Sequence, residues 1–238
     1  MTAKNGGNTP QSGPAGGRMR VLAVSSSPRR AGNSSLLAEA AMEGVAEAGH
    51  RGELVHLADH VQGFLRNCRE CRRADGSCAI EDGYSDLLLA QVLPADALVL
   101  ATPVWWYGMS AQLKNFFDRM FCYYAASYPD HEAVRRRLMG KRVALVMSAE
   151  ESNLSARLAI VHQLQEVCRY LHHSLVGVVT GIGNKTGEVR DDPSRPLLAA
   201  RELGRRLFDI EETDYKMDTV RPSRVWHAGN RSFPTTWR

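Results

Sequence analysis

Short apolar runs alternate along the chain with segments that repeat apolar residues at helical spacing. Near-continuous runs of valine, leucine and alanine are typical of parallel strands that are covered on both faces. We predict strands at residues 21–24, 53–57, 97–101, 143–147 and 175–180. The helical spacing predicts helices at residues 34–48, 84–91, 110–124, 154–170 and 196–208. This alternation predicts an α/β fold, with a doubly wound sheet of five parallel strands and helices on both faces.

The two ends of the chain differ in composition from the segment between them. Residues 1–18 are rich in glycine, proline and polar side chains, so they can bury little apolar surface and are predicted to be a disordered extension. Residues 19–210 hold the alternating pattern and are predicted to form one domain. Residues 211–238 are predicted to make a subunit contact, because they include apolar side chains that do not suit a solvated linker: Tyr215, Val220, Val225, Trp226, Phe233 and Trp237.

Composition and charge exclude several classes of partner. The formal net charge is +4 and the basic residues are interspersed with acidic ones, so we expect no nucleic-acid binding. The sequence has no apolar run long enough to cross a bilayer, and its first residues lack the apolar core of a signal peptide. We therefore expect a cytoplasmic protein without a membrane partner. The five cysteines, an odd number, are expected to be reduced thiols or metal ligands.

A hydroxyl-rich turn at residues 25–35 joins the first predicted strand to the first predicted helix. The first amides of a helix have no intrahelical partner and lie at the positive end of its dipole, so this turn can cradle a phosphate. Arg29 or Arg30 can add a charged contact. The alternative is an ordinary N-cap formed by Asn33, Ser34 or Ser35. The position of the turn after a parallel strand, where such sheets bind ligands, favours the phosphate interpretation.

A second candidate site follows the third predicted strand. Residues 103–108 place three aromatic rings, Trp105, Trp106 and Tyr107, on one short turn, where they cannot all be core residues. Aromatic rings and fixed backbone amides suit a flat heteroaromatic ligand. The competing interpretation is a subunit interface or a lid, because exposed aromatic residues also mark contacts between proteins.

Together the two turns resemble those of the NAD(P)H-dependent FMN reductases of the flavodoxin-like superfamily, over roughly residues 20–208. The glycine triplet of Rossmann folds is absent from the first turn, and we interpret the glycine-rich run at residues 181–187 as a flexible loop. The resemblance implies a flavodoxin-like sheet, FMN as cofactor and NAD(P)H as electron donor. It implies that the FMN phosphate is held by Ser27, Arg29, Asn33, Ser34 and Ser35. It implies that the isoalloxazine ring is lined by Pro103, Val104, Trp105, Trp106, Tyr107, Gly108 and Ser148.

An insert at residues 67–82 contains Cys68, Cys71 and Cys78 and resembles the cysteine segment of iron-sulfur flavoproteins. Ala74 stands where a further cysteine would fall, and a four-iron cluster takes four thiolates. We favour a loop of reduced cysteines that shapes the acceptor pocket or a subunit contact, so we expect no metal. The alternatives are a zinc or iron–sulfur site completed by another ligand, and a redox-active pair of the first two cysteines.

The resemblance implies an oxidoreductase that passes reducing equivalents from NAD(P)H through FMN to a small acceptor. The acceptor classes are a quinone, a nitro or azo compound, a flavin, or a dedicated biosynthetic metabolite. We expect a homodimer or homotetramer, because a neighbouring subunit commonly completes such a site. The alternative is an electron-transfer carrier between protein partners, although such carriers tend to be acidic and this chain is slightly basic.

We name no catalytic side chain. Lys114 and Asp118 are spaced as a structural ion pair, and Cys122 and Cys168 are expected to be buried.

Overall fold

The structure is a computed structural model that describes residues 17–67 and 69–210. The predictions for residues 1–16, for Cys68 and for the tail at residues 211–238 lie outside the described residues. Six strands form one sheet: β1 (Arg20–Ser25), β2 (Arg51–His56), β3 (Ala97–Trp105), β4 (Gly108–Met109), β5 (Arg142–Ala149) and β6 (Ser174–Ile182).

Five of these strands are parallel and lie in the order β2-β1-β3-β5-β6. Numbered by parallel strand alone, this order is 2-1-3-4-5, the arrangement of flavodoxin-like sheets. The two-residue β4 pairs with the end of β3 in antiparallel orientation and forms a short hairpin. The predicted five-stranded parallel sheet is therefore confirmed, and the hairpin is an addition to it.

Helices follow the strands and cover both faces of the sheet. They are α1 (Asn33–Glu47), α2 (Leu57–His60), α3 (Tyr84–Asp86) with a π-helical continuation (Leu87–Val92), α4 (Ala111–Tyr124), α5 (His131–Leu138), α6 (Ser155–Tyr170), a 3₁₀ turn (Glu188–Asp191) and α7 (Pro196–Arg205). Within the described ranges, none of them is long and apolar enough to cross a membrane.

Two apolar cores lie on opposite faces of the sheet, because alternate residues of a strand point to opposite sides. Leu22 and Val24 of β1 enter the larger core, which is completed by α3, its π-helical continuation, α4, α5 and α6. Val21 and Ala23 of the same strand enter the smaller core, which is completed by α1 and α7. Both faces of β1 are therefore buried, which explains its continuous apolar run.

Three of the differences from the sequence prediction concern β3, α5 and β6. β3 continues to Trp105, because its residues 102–103 pair with β5 and its residues 104–105 pair with β4. α5 is not predicted from the sequence, since only Val134 and Leu138 of its residues are buried and the helix is otherwise highly charged. The glycine-rich run at residues 181–187 is partly strand, since β6 extends to Ile182.

Two glycines bring α1 and α7 into close backbone contact. A Cβ atom on Gly44 would overlap the carbonyl oxygen of Arg201, and one on Gly204 would overlap the carbonyl oxygen of Ala41. Any larger residue would force the two helices apart. This crossing fixes the position of α1, and with it the N-terminus from which the candidate site is built.

Candidate functional site

The loops that follow β1 and β3 lie side by side at the carboxyl edge of the sheet. The amide of Ser26 donates to the carbonyl of Ala101 at 2.9 Å. The hydroxyl of Ser110 donates to the carbonyl of Ser26 at 3.4 Å and accepts from the amide of Leu113 at 3.3 Å, so it also caps α4. The two turns that the sequence singles out therefore share the edge where doubly wound sheets bind ligands.

Hydroxyl groups organise the turn after β1. The hydroxyls of Ser25 and Ser35 lie 2.9 Å apart. The hydroxyl of Ser27 donates to the carbonyl of Arg29 at 3.0 Å and accepts from the amide of Arg29 at 3.2 Å. A Cβ atom on Gly32 would lie only 2.6 Å from Oγ of Ser27, so the tight turn requires glycine at this point. The turn is therefore held in shape by its own side chains.

The N-terminus of α1 has no side-chain cap in the part of the chain that the structure describes. Gly32 occupies the N-cap position, and the first intrahelical bond runs from the amide of Leu36 to the carbonyl of Gly32 at 3.0 Å. Asn33, Ser34 and Ser35 all lie inside the helix, so the alternative that one of them forms the N-cap is wrong. Their amides precede the first intrahelical bond and have no partner within the helix.

The hydroxyl oxygen of Ser34 is buried, with the residue 1% exposed, and has no hydrogen-bond partner within residues 17–67 and 69–210. A buried polar group without a partner costs about 1–3 kcal/mol. The hydroxyl, the uncapped amides and the positive end of the helix dipole together form a set of donors for an anion. The residues present therefore fit a phosphate group.

The side chain of Asn33 reaches the loop that follows β6. Its Nδ2 donates to the carbonyl oxygens of Gly183 at 2.9 Å and Lys185 at 3.0 Å, and its Oδ1 accepts from the amide of Val189 at 3.3 Å. The resemblance assigns Asn33 to the FMN phosphate. The structure uses its side chain to join the loop to the first turn of α1, while its backbone amide stays at the helix N-terminus.

The two arginines of the turn have different surroundings. Arg30 donates from Nη2 to both carboxylate oxygens of Asp59, each at 2.7 Å. Arg29 is exposed, and its guanidinium has no partner among the described residues. Arg29 is therefore the arginine whose side chain can turn toward an anion at the end of α1.

The aromatic turn is a two-residue hairpin with an unusual backbone. The antiparallel pairing runs through Val104 and Trp105 to Gly108 and leaves Trp106 and Tyr107 as the turn residues. Their φ angles are 48° and 62°, in the left-handed region that such hairpins require and that asparagine and glycine normally fill. A residue with a side chain loses about 1–2 kcal/mol of stability when its backbone adopts this left-handed conformation. Backbone strain of this kind concentrates at functional sites.

The aromatic rings of the turn differ in exposure. Trp106 is 96% exposed, Tyr107 54% and Trp105 47%. Before the turn, Pro103 of β3 lies in register with the buried Ser148 of β5. Pro103, Trp105 and Ser148 therefore lie among the last paired residues of two neighbouring strands, whereas Trp106 projects into solvent.

A hydrogen bond links the aromatic turn to the loop after β5. The hydroxyl of Tyr107 donates to Oε1 of Glu151 at 3.2 Å, and this contact raises the pKa of Tyr107. In the same loop, Glu150 accepts from Nδ2 of Asn184 at 2.9 Å. The loops after β3, β5 and β6 are thus joined across the edge of the sheet. Sequence reasoning missed Glu151, and the signal that could have indicated it is the pair of acidic residues directly after β5.

A buried ion pair fastens the cysteine insert to α4. Arg119 donates from Nη1 and Nη2 to Asp82 at 2.5 and 2.8 Å, and the two side chains are 1% and 2% exposed. One turn earlier, Asn115 donates to the carbonyl of Gly63 at 3.0 Å and accepts from the amide of Leu65 at 3.1 Å. Burial raises the pKa of Asp82, but hydrogen bonds from Arg119 and from backbone amides outweigh it and lower the pKa to about 2. Because α4 begins directly after the aromatic turn, it fixes the insert relative to the candidate site.

The cysteine insert does not match a four-iron cluster. Cys71 and Cys78 lie on the two sides of a narrow hairpin, in which the amide of Ala79 donates to the carbonyl of Cys71 at 2.9 Å. Residues 17–67 and 69–210 contain no group of three or more side chains that could hold a metal ion, and Cys68 lies outside them. The insert contains three cysteines, whereas a four-iron cluster takes four thiolates. We therefore assign no chemistry to an iron–sulfur cluster in this insert.

Two minor predictions are confirmed. Lys114 and Asp118 form an ion pair on α4 with a distance of 2.5 Å between Nζ and Oδ1. Cys122 and Cys168 are buried in helices. None of these four residues lies in the two turns of the candidate site.

The sheet order, the phosphate cradle after β1 and the aromatic turn after β3 define a flavoprotein of the flavodoxin-like class. The sequence profile of the NADPH-dependent FMN reductase family matches residues 19–187, and the chain belongs to this family. It is an NAD(P)H-dependent FMN oxidoreductase, with FMN as its cofactor and NAD(P)H as its electron donor.

Individual relatives are similar over most of the chain. An iron-sulfur flavoprotein of Archaeoglobus fulgidus is 28% identical over 207 residues, which cover 84% of each chain. An iron-sulfur flavoprotein of Methanocaldococcus jannaschii is 29% identical over 202 residues, which cover 81% of this chain and 97% of that one. Among solved structures, an NAD(P)H:quinone oxidoreductase from Methanothermobacter marburgensis is 22% identical with a TM-score of 0.55, covering 80% of this chain and 98% of its own. These similarities confirm the flavodoxin-like fold.

Proposed function

We propose that the donors at the N-terminus of α1 bind the FMN phosphate and that the enzyme reduces a small, flat acceptor such as a quinone. The observation that supports this most strongly is the buried hydroxyl of Ser34, which lacks a partner in the described ranges and sits among uncapped amides. Ser27, Ser35 and the exposed Arg29 complete the cradle. Asn33 offers its backbone amide, while its side chain holds the loop after β6.

The flavin ring is proposed to lie where the ends of β3 and β5 meet, along residues 103–108 and Ser148. Trp105 offers an aromatic face for stacking, since about half of its surface is exposed. When bound, FMN supplies the hydride exchange with NAD(P)H and with the acceptor. The chain holds and orients the ring through the rigid hairpin, and Tyr107 keeps the hairpin joined to Glu151.

The surroundings of the aromatic turn support an acceptor that is flat. Trp106 and Tyr107 expose ring surface beside the site, which suits stacking. A quinone fits this description, and nitro and azo compounds, flavins and a dedicated biosynthetic metabolite are the other candidates. The electron-carrier alternative is not favoured, because the family is one of reductases.

We also propose a cytoplasmic homodimer or homotetramer. Trp106 supports this proposal, because a large ring with 96% of its surface exposed is typical of a contact between subunits. Light scattering on the purified protein measures the mass of the assembly. A mass equal to that of one chain at assay concentration would contradict this part of the proposal.

Replacement of Ser34 by alanine tests the phosphate cradle. A hydrogen bond to a charged group contributes about 1.5–3 kcal/mol, so we expect FMN to bind at least about tenfold more weakly. Quenching of flavin fluorescence during titration of the apoprotein measures the affinity. Ser155→Ala, at the exposed start of α6, is the matched control and should leave the affinity unchanged.

A steady-state assay of NAD(P)H oxidation with menadione tests the acceptor class. We expect turnover that depends on added FMN. Ser34→Ala should lower this turnover only when FMN is subsaturating. An FMN-loaded protein that does not reduce menadione, nitro compounds or azo dyes would contradict the proposed acceptor. A protein that binds no FMN would contradict the proposed site itself.

A further inference from the structure

A groove of about 330 Å³ lies between α4, α5 and α6. We call it the basal groove. Phe121 is 53% exposed and Tyr170 50% exposed, so the groove leaves a large aromatic surface open to solvent, although folded chains generally cover such patches. Its principal lining residues are apolar or aromatic: Phe117, Phe121, Tyr124, Leu138, Val167 and Tyr170.

The basal groove lies at the edge of the sheet opposite the flavin site. Tyr124, Leu138 and Tyr170 are the last residues of α4, α5 and α6. Helices that connect parallel strands run back against the strand direction, so their C-terminal ends lie at the amino edge of the sheet. An occupant of the groove would therefore not touch the two turns that form the candidate flavin site.

The described chain ends at this same amino edge. Arg142, the first residue of β5, donates from Nε to the carbonyl of Leu207 at 2.6 Å and from Nη2 to the carbonyl of Ile210. Two residues before Arg142, the amide of Gly140 donates to the carbonyl of Leu171, which also lines the groove, at 3.1 Å. The path from Ile210 to the groove therefore consists of one arginine side chain and two backbone residues. This path is about 15–20 Å long.

We propose that residues 211–238 of the same chain occupy the basal groove, with their aromatic side chains against Phe121 and Tyr170. Five extended residues span about 17 Å, so the chain can reach the groove at about Tyr215, and more than twenty residues remain to fill it. The segment is richer in aromatic side chains than the chain as a whole, and it includes two of the four tryptophans of the protein, Trp226 and Trp237.

The size of the groove suits a few side chains of an adjacent segment. A volume of about 330 Å³ is at the lower end of the range for sites that accept a small molecule or a few side chains, about 300–1,000 Å³.

Hydrogen exchange measured by mass spectrometry on the full chain tests the proposal. We expect amides within residues 211–238 to exchange at least about tenfold more slowly than an unstructured peptide. Phe121→Asp, in the groove, should abolish that protection. Leu158→Asp is the matched control, because Leu158 lies on α6 outside the groove and is similarly exposed at 50%.

A second variant keeps the test valid if Phe121→Asp fails to fold. The double substitution Trp226→Ser and Trp237→Ser leaves the described domain untouched, and it should speed exchange at residues 117–124 and 166–171. Unprotected amides throughout residues 211–238 of the unaltered chain would overturn the proposal. Protection of the groove that depends on protein concentration and survives the double substitution would also overturn it and assign the groove to a second copy.

Discussion

Replacement of Asp82 by asparagine tests the ion pair that fastens the insert to α4. Asparagine keeps the size of the side chain but removes its charge, and it leaves the guanidinium of Arg119 buried without a counter-ion. Removal of one partner from a buried pair costs about 3–5 kcal/mol. Independently, the drop in the pKa of Asp82 from 3.8 to about 2 corresponds to about 2.5 kcal/mol at neutral pH. We therefore expect the free energy of unfolding to fall by about 2.5–4 kcal/mol.

Urea denaturation at a series of pH values measures this loss and its sign. Because the folded pKa of Asp82 is lowered, its contribution is complete above about pH 4 and disappears as the pH falls toward 2. Asp82→Asn should lack this part of the pH dependence. The matched control is Asp118→Asn, which breaks the exposed pair with Lys114 on the same helix and should cost less than about 1 kcal/mol.

A double substitution separates the two contributions to this loss. Arg119→Met removes the uncompensated charge, so adding it to Asp82→Asn should recover part of the lost stability. A loss for Asp82→Asn no larger than that of the Asp118→Asn control would refute the reasoning, because it would mean that the pair is hydrated in solution.

Two further substitutions test the helix crossing and the strained hairpin. Gly204→Ala places a methyl group on the carbonyl of Ala41, so we expect a loss of about 1–3 kcal/mol in urea denaturation, whereas Ala200→Gly on the same helix should not separate the helices. Tyr107→Gly relieves a left-handed residue and should raise the stability of the apoprotein by about 1 kcal/mol. The same substitution removes the bond to Glu151 and should increase KM for menadione; unchanged stability and KM would contradict the interpretation of the turn as a strained functional element.

The sheet could be predicted from the sequence because each central strand is buried on both faces and therefore reads as one apolar run, as in Val21 to Val24. The turn of hydroxyl groups and free amides after β1 could also be recognised, because its donors are adjacent in sequence, and its use for a phosphate stays a prediction. α5 could not, since it buries only Val134 and Leu138. The left-handed backbone of the aromatic turn could not be predicted either, because Trp106 and Tyr107 are not residue types that favour it.

Features that depend on distant partners were not predictable from one sequence. Asp82 and Arg119 are separated by 37 positions, and the sequence around each residue does not indicate that the other is its partner. Asn33 was correctly placed at the end of α1, but only the fold shows that its side chain is used by the loop after β6. The unpartnered state of Ser34 likewise follows from packing, and not from its residue type.

The N-terminus of α1 has no side-chain cap among residues 17–67 and 69–210, so we expect the stability of the apoprotein to depend on the anions in its buffer. In the proposed complex, the phosphate of the cofactor takes the place that a serine or aspartate side chain fills in most helices, so cofactor loading and folding are thermodynamically linked. Stability measured without FMN then varies with the phosphate or sulfate content of the buffer. Apoprotein prepared in phosphate and in an amine buffer will behave as two differently stabilised samples, and the buffer belongs among the controlled variables of every assay on this enzyme.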